Sequence, residues 1–340
     1  MSEKRLQHID VARGIAIICI ILGHLGISEI NRFVFTFHVP IFYLITGYFI
    51  KPEGKMSDFI KGKFRTLILP YISTCIIIIV LSVIINLLSS PNGSVGATAL
   101  EWLYASLYGA GDTYREPFYI KSIGGIWFLL ASFWGTLFLK LILGLKDHLR
   151  VFSVIALFLI GYFSRELFWF PLSIQAGMCA ALFMYIGYLW KDVYRHIESL
   201  TKECKIFLTA SAFAVWIFFV IDFKSFWLVH CDIGRGVVDI FSSLCAVLCV
   251  MLISKLITEH FTKLSDALAY IGKYSIIMLC AHIVELNLFP WYRIALTIDM
   301  SEQVELLVII SGKILWSIAI TYLFSRRNLT RRIFGLKPLE

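Results

Sequence analysis

Residues 9–24 read IDVARGIAIICIILGH. Between Arg13 and His24 lie ten residues without a charge, in a helix-compatible run that one charged residue opens and one titratable residue closes. A transmembrane helix needs about 20 mostly apolar residues, and the run at 11–28 supplies them. The preceding segment, MSEKRLQHIDVARG, carries charges up to Arg13, and no small-residue cleavage site follows. The first run is therefore expected to be a retained helix and not a signal peptide.

The rest of the chain repeats this character. Of 340 residues, 59% are hydrophobic and 16% charged, and the mean hydropathy is +0.81. A soluble domain is about 45–50% apolar and about 25% charged, so the surplus apolar surface is expected to face lipid. Apolar runs fall at roughly 11–28, 33–50, 67–89, 123–144, 150–164, 170–190, 206–223, 235–257, 269–289 and 304–324, with ends uncertain by about 2–4 residues. The spacing predicts an all-α integral membrane protein, a bundle of about ten transmembrane helices.

The net charge of +8 comes from 31 Lys and Arg against 23 Asp and Glu. With the N-terminus inside, alternating the ten runs puts 22 of those cations in cytoplasmic segments and 7 outside, with Lys140 and Lys313 within runs. That asymmetry is the positive-inside pattern. It places both termini in the cytoplasm and accounts for the basic total without a nucleic-acid partner. The reading is one transmembrane domain over 1–340, an extracytoplasmic loop at 90–122 and a basic tail at 325–340 suited to lipid headgroups. Within the loop, PNGSVG opens the segment and ALEWLYASLYGAG is amphipathic, as expected of a lid or interfacial helix. Cys19, Cys75, Cys179, Cys245, Cys249 and Cys280 fall inside apolar runs and read as small core residues. No CxxC or finger spacing occurs.

Ionisable residues inside spans are costly and mark functional sites by default. His24 and His38 are expected roughly 6–8 Å below the outer boundary on neighbouring helices, within reach of one pocket. His282 and Glu285, three apart, share a helical face, about 20 Å from the inner end of a straight ninth span. Arg235 and Asp239 form an i, i+4 pair, while Gln175 and Trp127 lie at comparable shallow depth. Eleven residues separate Arg13 from His24, so both project from one face about 16 Å apart along the axis. A ligand joining them would be long, with an anionic head for Arg13 and a reactive end for His24. Asp10 is placed to pair with Arg13.

Each residue also has a plainer reading. Arg13 suits a membrane anchor, the histidines suit hydrogen-bonded packing, Asp10 an N-cap, Lys313 a partner of Glu285, and Trp127 an aromatic belt. Convergence favours function: three histidines and a glutamate on three helices are expected at one depth.

The stretch IDVARGIAIICIILGH, then FTFHVPIFYLITGYF and KFRTLILPY, resembles membrane acyltransferase family 3. Asp10, Arg13, Gly14 and His24 match its first-helix signature. The segment from His38 and Pro40 to Gly47 and Tyr48 resembles its second helix, and Arg65, Pro70 and Tyr71 resemble the start of its third. GGIWFLLASFW, ALFMYIGYLWK and GKYSIIMLCAH extend the likeness over nearly the whole chain. The FHVP form is similar to the fucose 4-O-acetylase and nodulation-type branch. No fused hydrolase-like domain is expected, so the membrane domain is expected to meet its acceptor itself.

The resemblance implies a multi-pass protein of the bacterial cytoplasmic membrane. It implies transfer of an acetyl group from cytoplasmic acetyl-CoA to a hydroxyl of a surface polysaccharide or its polyprenyl-linked precursor, with no bound cofactor. On that reading Arg13, Asp10, Lys63 and Arg65 serve the CoA phosphates and His24 acts as general base or acetyl carrier. His38 and Glu285 assist the chemistry, and Trp127, His282, Gln175 and Arg235 bind the sugar. A proton-coupled exporter of a lipid or sugar is the alternative. Zinc on His24, His38, His282 and Glu285 lacks an HExxH-type motif, and no metal is expected.

Overall fold

The computed structural model describes residues 6–89, 94–291 and 301–339. Lys4, Arg5, Arg293 and the opening of the outer loop at 90–93, with Pro91, lie outside the described residues. Among the described residues every extended element is helical, and β pairing is confined to an isolated bridge between Tyr114 and Ile120.

In chain order the helices are α1 (Gln7–Gly23), α2 (Ser28–Val34), α3 (Pro40–Phe49), α4 (Met56–Lys63), α5 (Leu69–Ser89), α6 (Val95–Tyr108) and α7 (Trp127–Leu143). They continue as α8 (Asp147–Ser164), α9 (Ile174–Ser199), α10 (Lys202–Ile221), α11 (Val237–His260), α12 (Thr262–Lys273), α13 (Ser275–Leu288), α14 (Glu302–Ser325) and α15 (Asn328–Ile333). Among the described residues six stretches are long and apolar enough to cross a bilayer: Met56–Ser89, Asp147–Ser164, Pro171–Ile197, Lys202–Ile221, Val237–His260 and Glu302–Ser325. A seventh arises if α12 and α13 form one broken span. This is an all-helical, multi-pass membrane protein, and its remaining apolar runs form shorter helices.

Two departures from straight spans have local causes. The run at 33–50 is divided into α2 and α3, with Pro40 at the first position of α3. Proline has no N–H with which to continue a preceding helix. The run at 269–289 is broken at Tyr274, whose backbone is non-helical (φ −110°, ψ 22°). Depth counted through a straight ninth span therefore does not apply: His282 and Glu285 lie seven and ten residues past the start of α13. A third irregularity precedes Pro70, where Phe64–Ile68 forms a π-helical turn between α4 and α5. The wider turn re-routes the backbone just before a residue that cannot donate to it.

The chain folds as two compact units. The first comprises Met1–Glu53, Gly135–Tyr162 and Met178–Ser275. Its core joins Ile9, Ala12, Ala16 and Cys19 of α1 to Phe37, Ile41, Trp216, Ala246 and Val250. Small residues let backbones meet. A Cβ on Gly14 would overlap the Leu268 carbonyl oxygen of α12, and one on Gly272 would overlap that of Asp10. Gly47 and Gly187 make the same close crossing between α3 and α9, against Met184 and Leu44. Lys140 is buried, its ammonium donating to the carbonyls of Lys51 (3.1 Å), Pro52 and Glu53 (2.7 Å) just past α3. It satisfies three carbonyls of the connection that follows α3.

The second unit comprises Gly54–Trp134, Phe163–Gly177 and Ile276–Glu340. Here α6, built from the amphipathic stretch, packs along α5 with Trp102 and Ala105 buried. The Tyr71 hydroxyl donates to the Ser106 carbonyl (2.6 Å), and Asn86 donates to Thr98 (3.0 Å). The basic tail folds back. Arg331 is buried, donating to the carbonyls of Ser325 (2.8 Å) and Lys337 (2.7 Å), and Gly335 lies against the backbone of Arg65 and Thr66. The six cysteines predicted as core residues are buried.

Candidate functional site

In the first unit α1 is one uninterrupted helix from Gln7, and His24 caps it. Gln7 ties its first turn to α12 through Ser265 (3.1 Å) and Asp266 (2.9 Å). Together with the Gly14 and Gly272 contacts, this fixes where Arg13 leaves the helix. Asp10 is buried, and its carboxylate lies 3.7 Å from the Arg13 guanidinium, which stays partly exposed. The expected pairing of Asp10 with Arg13 is present. At the other end, Nδ1–H of His24 donates to the Ile20 carbonyl (2.8 Å). A carbonyl can only accept, so in the neutral ring the basic lone pair is on Nε2.

His38 is held in the same manner, with Nδ1–H donating to the Val34 carbonyl (2.7 Å). Its ring lies 4.9 Å from that of Phe35. Phe35 in turn rests on the last turn of α1: a Cβ on Gly23 would come 2.8 Å from its ring edge. One phenyl ring therefore links His38 to the residue before His24. Arg235 in this unit is a clamp. Its guanidinium meets Asp239 (2.9 Å) and Asp222 (2.6 Å), and its backbone N–H also donates to Asp239 (2.8 Å).

In the second unit a polar cluster is buried on α13 and α14. Glu285 and His282 are both 0% exposed. Nδ1–H of His282 donates to Oε2 of Glu285 (3.0 Å), while Oε1 accepts from the Lys313 ammonium (2.7 Å) and from the Trp291 indole N–H. With donors on both oxygens, Glu285 is arranged to orient His282 and direct its Nε2 lone pair away from the carboxylate. Trp316 adds a bond to the Ala281 carbonyl (3.3 Å). Trp291 had no sequence signal, because six residues from Glu285 is not a helical-face spacing.

Trp127 is buried at the start of α7, and the turn before it abuts this cluster's helix. Gly124 (φ +78°) faces Ile283 and Asn287 at ordinary contact distance, and its left-handed backbone is the reason glycine suits the turn. Gln175 is fully buried and acts as a clasp, donating to Ser164 (3.1 Å) and the Phe168 carbonyl (2.9 Å) and accepting from the Phe170 N–H (2.7 Å). Lys63 lies 5.5 Å from the Phe59 ring centre, and Arg65 is exposed in the π-helical turn. Among the described residues no three His, Cys, Asp or Glu side chains gather as a metal site.

A family model described as an acyltransferase domain matches residues 6–326. That match takes in α1, α13, α14 and every candidate residue named above. No curated protein and no solved structure matches significantly. The chain therefore belongs to the acyltransferase 3 family of membrane acyltransferases.

Proposed function

We propose that this membrane acyltransferase moves an acetyl group from cytoplasmic acetyl-CoA to a hydroxyl of a surface glycan or its lipid-linked precursor, with both termini in the cytoplasm of a bacterial cell. The single observation that carries the reading is the continuity of α1, which presents Arg13 and His24 on one face about 16 Å apart. An extended pantetheine arm suits such a spacing, with the phosphates near Arg13 and the thioester near His24.

In the proposed step Nε2 of His24 takes the proton of the acceptor hydroxyl as its oxygen attacks the thioester carbonyl. The new C–O ester bond forms, the C–S bond breaks, and the departing CoA thiolate recovers the proton. Asp10 orients Arg13 toward the donor phosphates. His38 lines the acceptor approach.

The test is release of free CoA from acetyl-CoA by the detergent-purified chain, with and without a lipid-linked glycan extract. Wild type is expected to release CoA and His24→Ala to release none. A fully active His24→Ala variant refutes the reading. The buried Glu285, Lys313 and His282 group is the one observation that favours a proton-coupled exporter. Absence of acetyl-CoA binding and turnover in every sample would favour that alternative.

A further inference from the structure

The segment joining α10 to α11 contains aromatic and polar groups that the proposed chemistry has not used. Its sequence alternates. Phe226 and Leu228 are buried (2% and 6% exposed), whereas Trp227 between them is 41% exposed. Phe226 anchors the segment edge-on to Phe183 (6.4 Å) and Phe219 (5.8 Å). The Trp227 carbonyl then accepts from the N–H groups of His230 (2.9 Å) and Asp232 (3.1 Å), closing a tight turn that ends in left-handed Cys231 (φ +53°). This turn stacks the His230 ring on Trp227 at 5.7 Å and 19°.

The shelf so formed adjoins the end of α1. Trp227 meets Phe35 edge-on at 5.6 Å, and Phe35 is the ring seated against Gly23. One phenyl ring separates the indole from the residue preceding His24. The same connection carries Lys224 paired with Asp222 (2.9 Å), and Asp232, whose N–H bonds the Trp227 carbonyl and whose carboxylate accepts from the Ser225 hydroxyl and the Gly234 N–H (3.0 Å). A flat, partly exposed indole on a connection that also carries carboxylates and an ammonium matches a pyranose ring, which has an apolar C–H face and a rim of hydroxyls.

We propose that Trp227, with His230 beside it, is the stacking platform for a pyranose ring of the acceptor; this rests on the acyltransferase reading for why a hydroxyl-bearing ring is brought to the His24 end of α1. The platform is built into the first unit alone and is held by the backbone of its own turn. Its contribution is that of one ring-to-ring contact, about 0.5–1.5 kcal/mol, which corresponds to about two- to thirteen-fold in affinity.

The experiment is saturation-transfer NMR on the full chain in detergent. The probes are methyl glucopyranoside, galactopyranoside, mannopyranoside and fucopyranoside, with acyclic glucitol as control. At least one pyranoside is expected to bind above glucitol, to weaken by about two- to thirteen-fold in Trp227→Ala and to recover in Trp227→Phe. No pyranoside above glucitol in wild type overturns the proposal, as does binding unchanged in Trp227→Ala; the indole would then be an interfacial anchor. Acetyl transfer from acetyl-CoA to the same sugars separates the two readings. Trp227-dependent binding without transfer leaves the platform standing and removes the acyltransferase reaction. Transfer whose acceptor KM is unchanged in Trp227→Ala does the reverse.

Discussion

Lys313→Met removes one charge from the buried cluster and takes from Glu285 its cationic partner. In the intact protein the ammonium lies 2.7 Å from Oε1, with the lysine side chain 6% exposed and the carboxylate 0%. Breaking a buried pair from one side costs about 3–5 kcal/mol because an uncompensated charge remains. Here Glu285 keeps donors from His282 and Trp291, which moves the expected loss to the lower end, about 3 kcal/mol. Glu285→Gln alone strands the ammonium and is expected to cost a similar amount. Combining the two substitutions removes both charges, and the Gln carbonyl can still accept one of the remaining N–H groups. The double variant should therefore recover about 1–3 kcal/mol relative to the sum of the singles, in the range measured for residues in contact. The assay is reversible unfolding in mixed micelles, run as a double-mutant cycle. Single losses below about 1 kcal/mol, or strict additivity, would refute the view that this pair is a desolvated, mutually dependent unit.

Gly14→Ala places a Cβ against the Leu268 carbonyl, where backbone cannot yield cheaply. It is expected to cost about 1–3 kcal/mol and, by shifting α1, to reduce turnover; unchanged unfolding and activity would contradict the close crossing. Asp222 lies just past the candidate span Lys202–Ile221, where Lys224 bonded to it, with Arg235 adding charge, holds its carboxyl below the usual range. A lowered folded value means a contribution present above the ordinary carboxylate pKa of about 4 and lost as pH falls through the folded value. Asp222→Asn should thus lower Tm slightly at neutral pH and not at all once pH lies well below the folded value, and a pH-independent difference would contradict this. Trp291→Phe removes one donor from the Glu285 carboxylate and is expected to destabilise by about 1–3 kcal/mol; an unfolding curve identical to wild type would remove Trp291 from the cluster.

What the sequence discloses depends on how far apart the interacting residues stand. The apolar density reveals a membrane protein, and 100° per residue relates Arg13 to His24 without any structure. The same local rule anticipates Asp10 with Arg13, His282 with Glu285, and Arg235 with Asp239. Pro40 carried a visible signal that the second run would divide, whereas the break at Tyr274 followed no proline or glycine rule. Long-range partners were beyond reach. Nothing around Lys140 announces the three carbonyls 87–89 positions earlier, and Trp291 reaches Glu285 outside any helical register. Gln175 and Arg235 illustrate the converse. A polar side chain in an apolar run looks the same in sequence whether it meets a ligand or its own chain, and these two direct their observed bonds at their own chain.

The most direct test of the central claim separates the two ends of α1. Equilibrium binding of acetyl-CoA and its turnover are measured on the detergent-purified chain for wild type, Arg13→Gln and His24→Asn. A charge-assisted bond contributes about 1.5–3 kcal/mol, so Arg13→Gln should weaken donor binding by about 10- to 150-fold. His24→Asn should bind the donor as wild type does while turnover falls by at least the 10²–10⁴-fold typical of a lost general base. Wild-type turnover in His24→Asn, or donor binding indifferent to Arg13, would contradict the account.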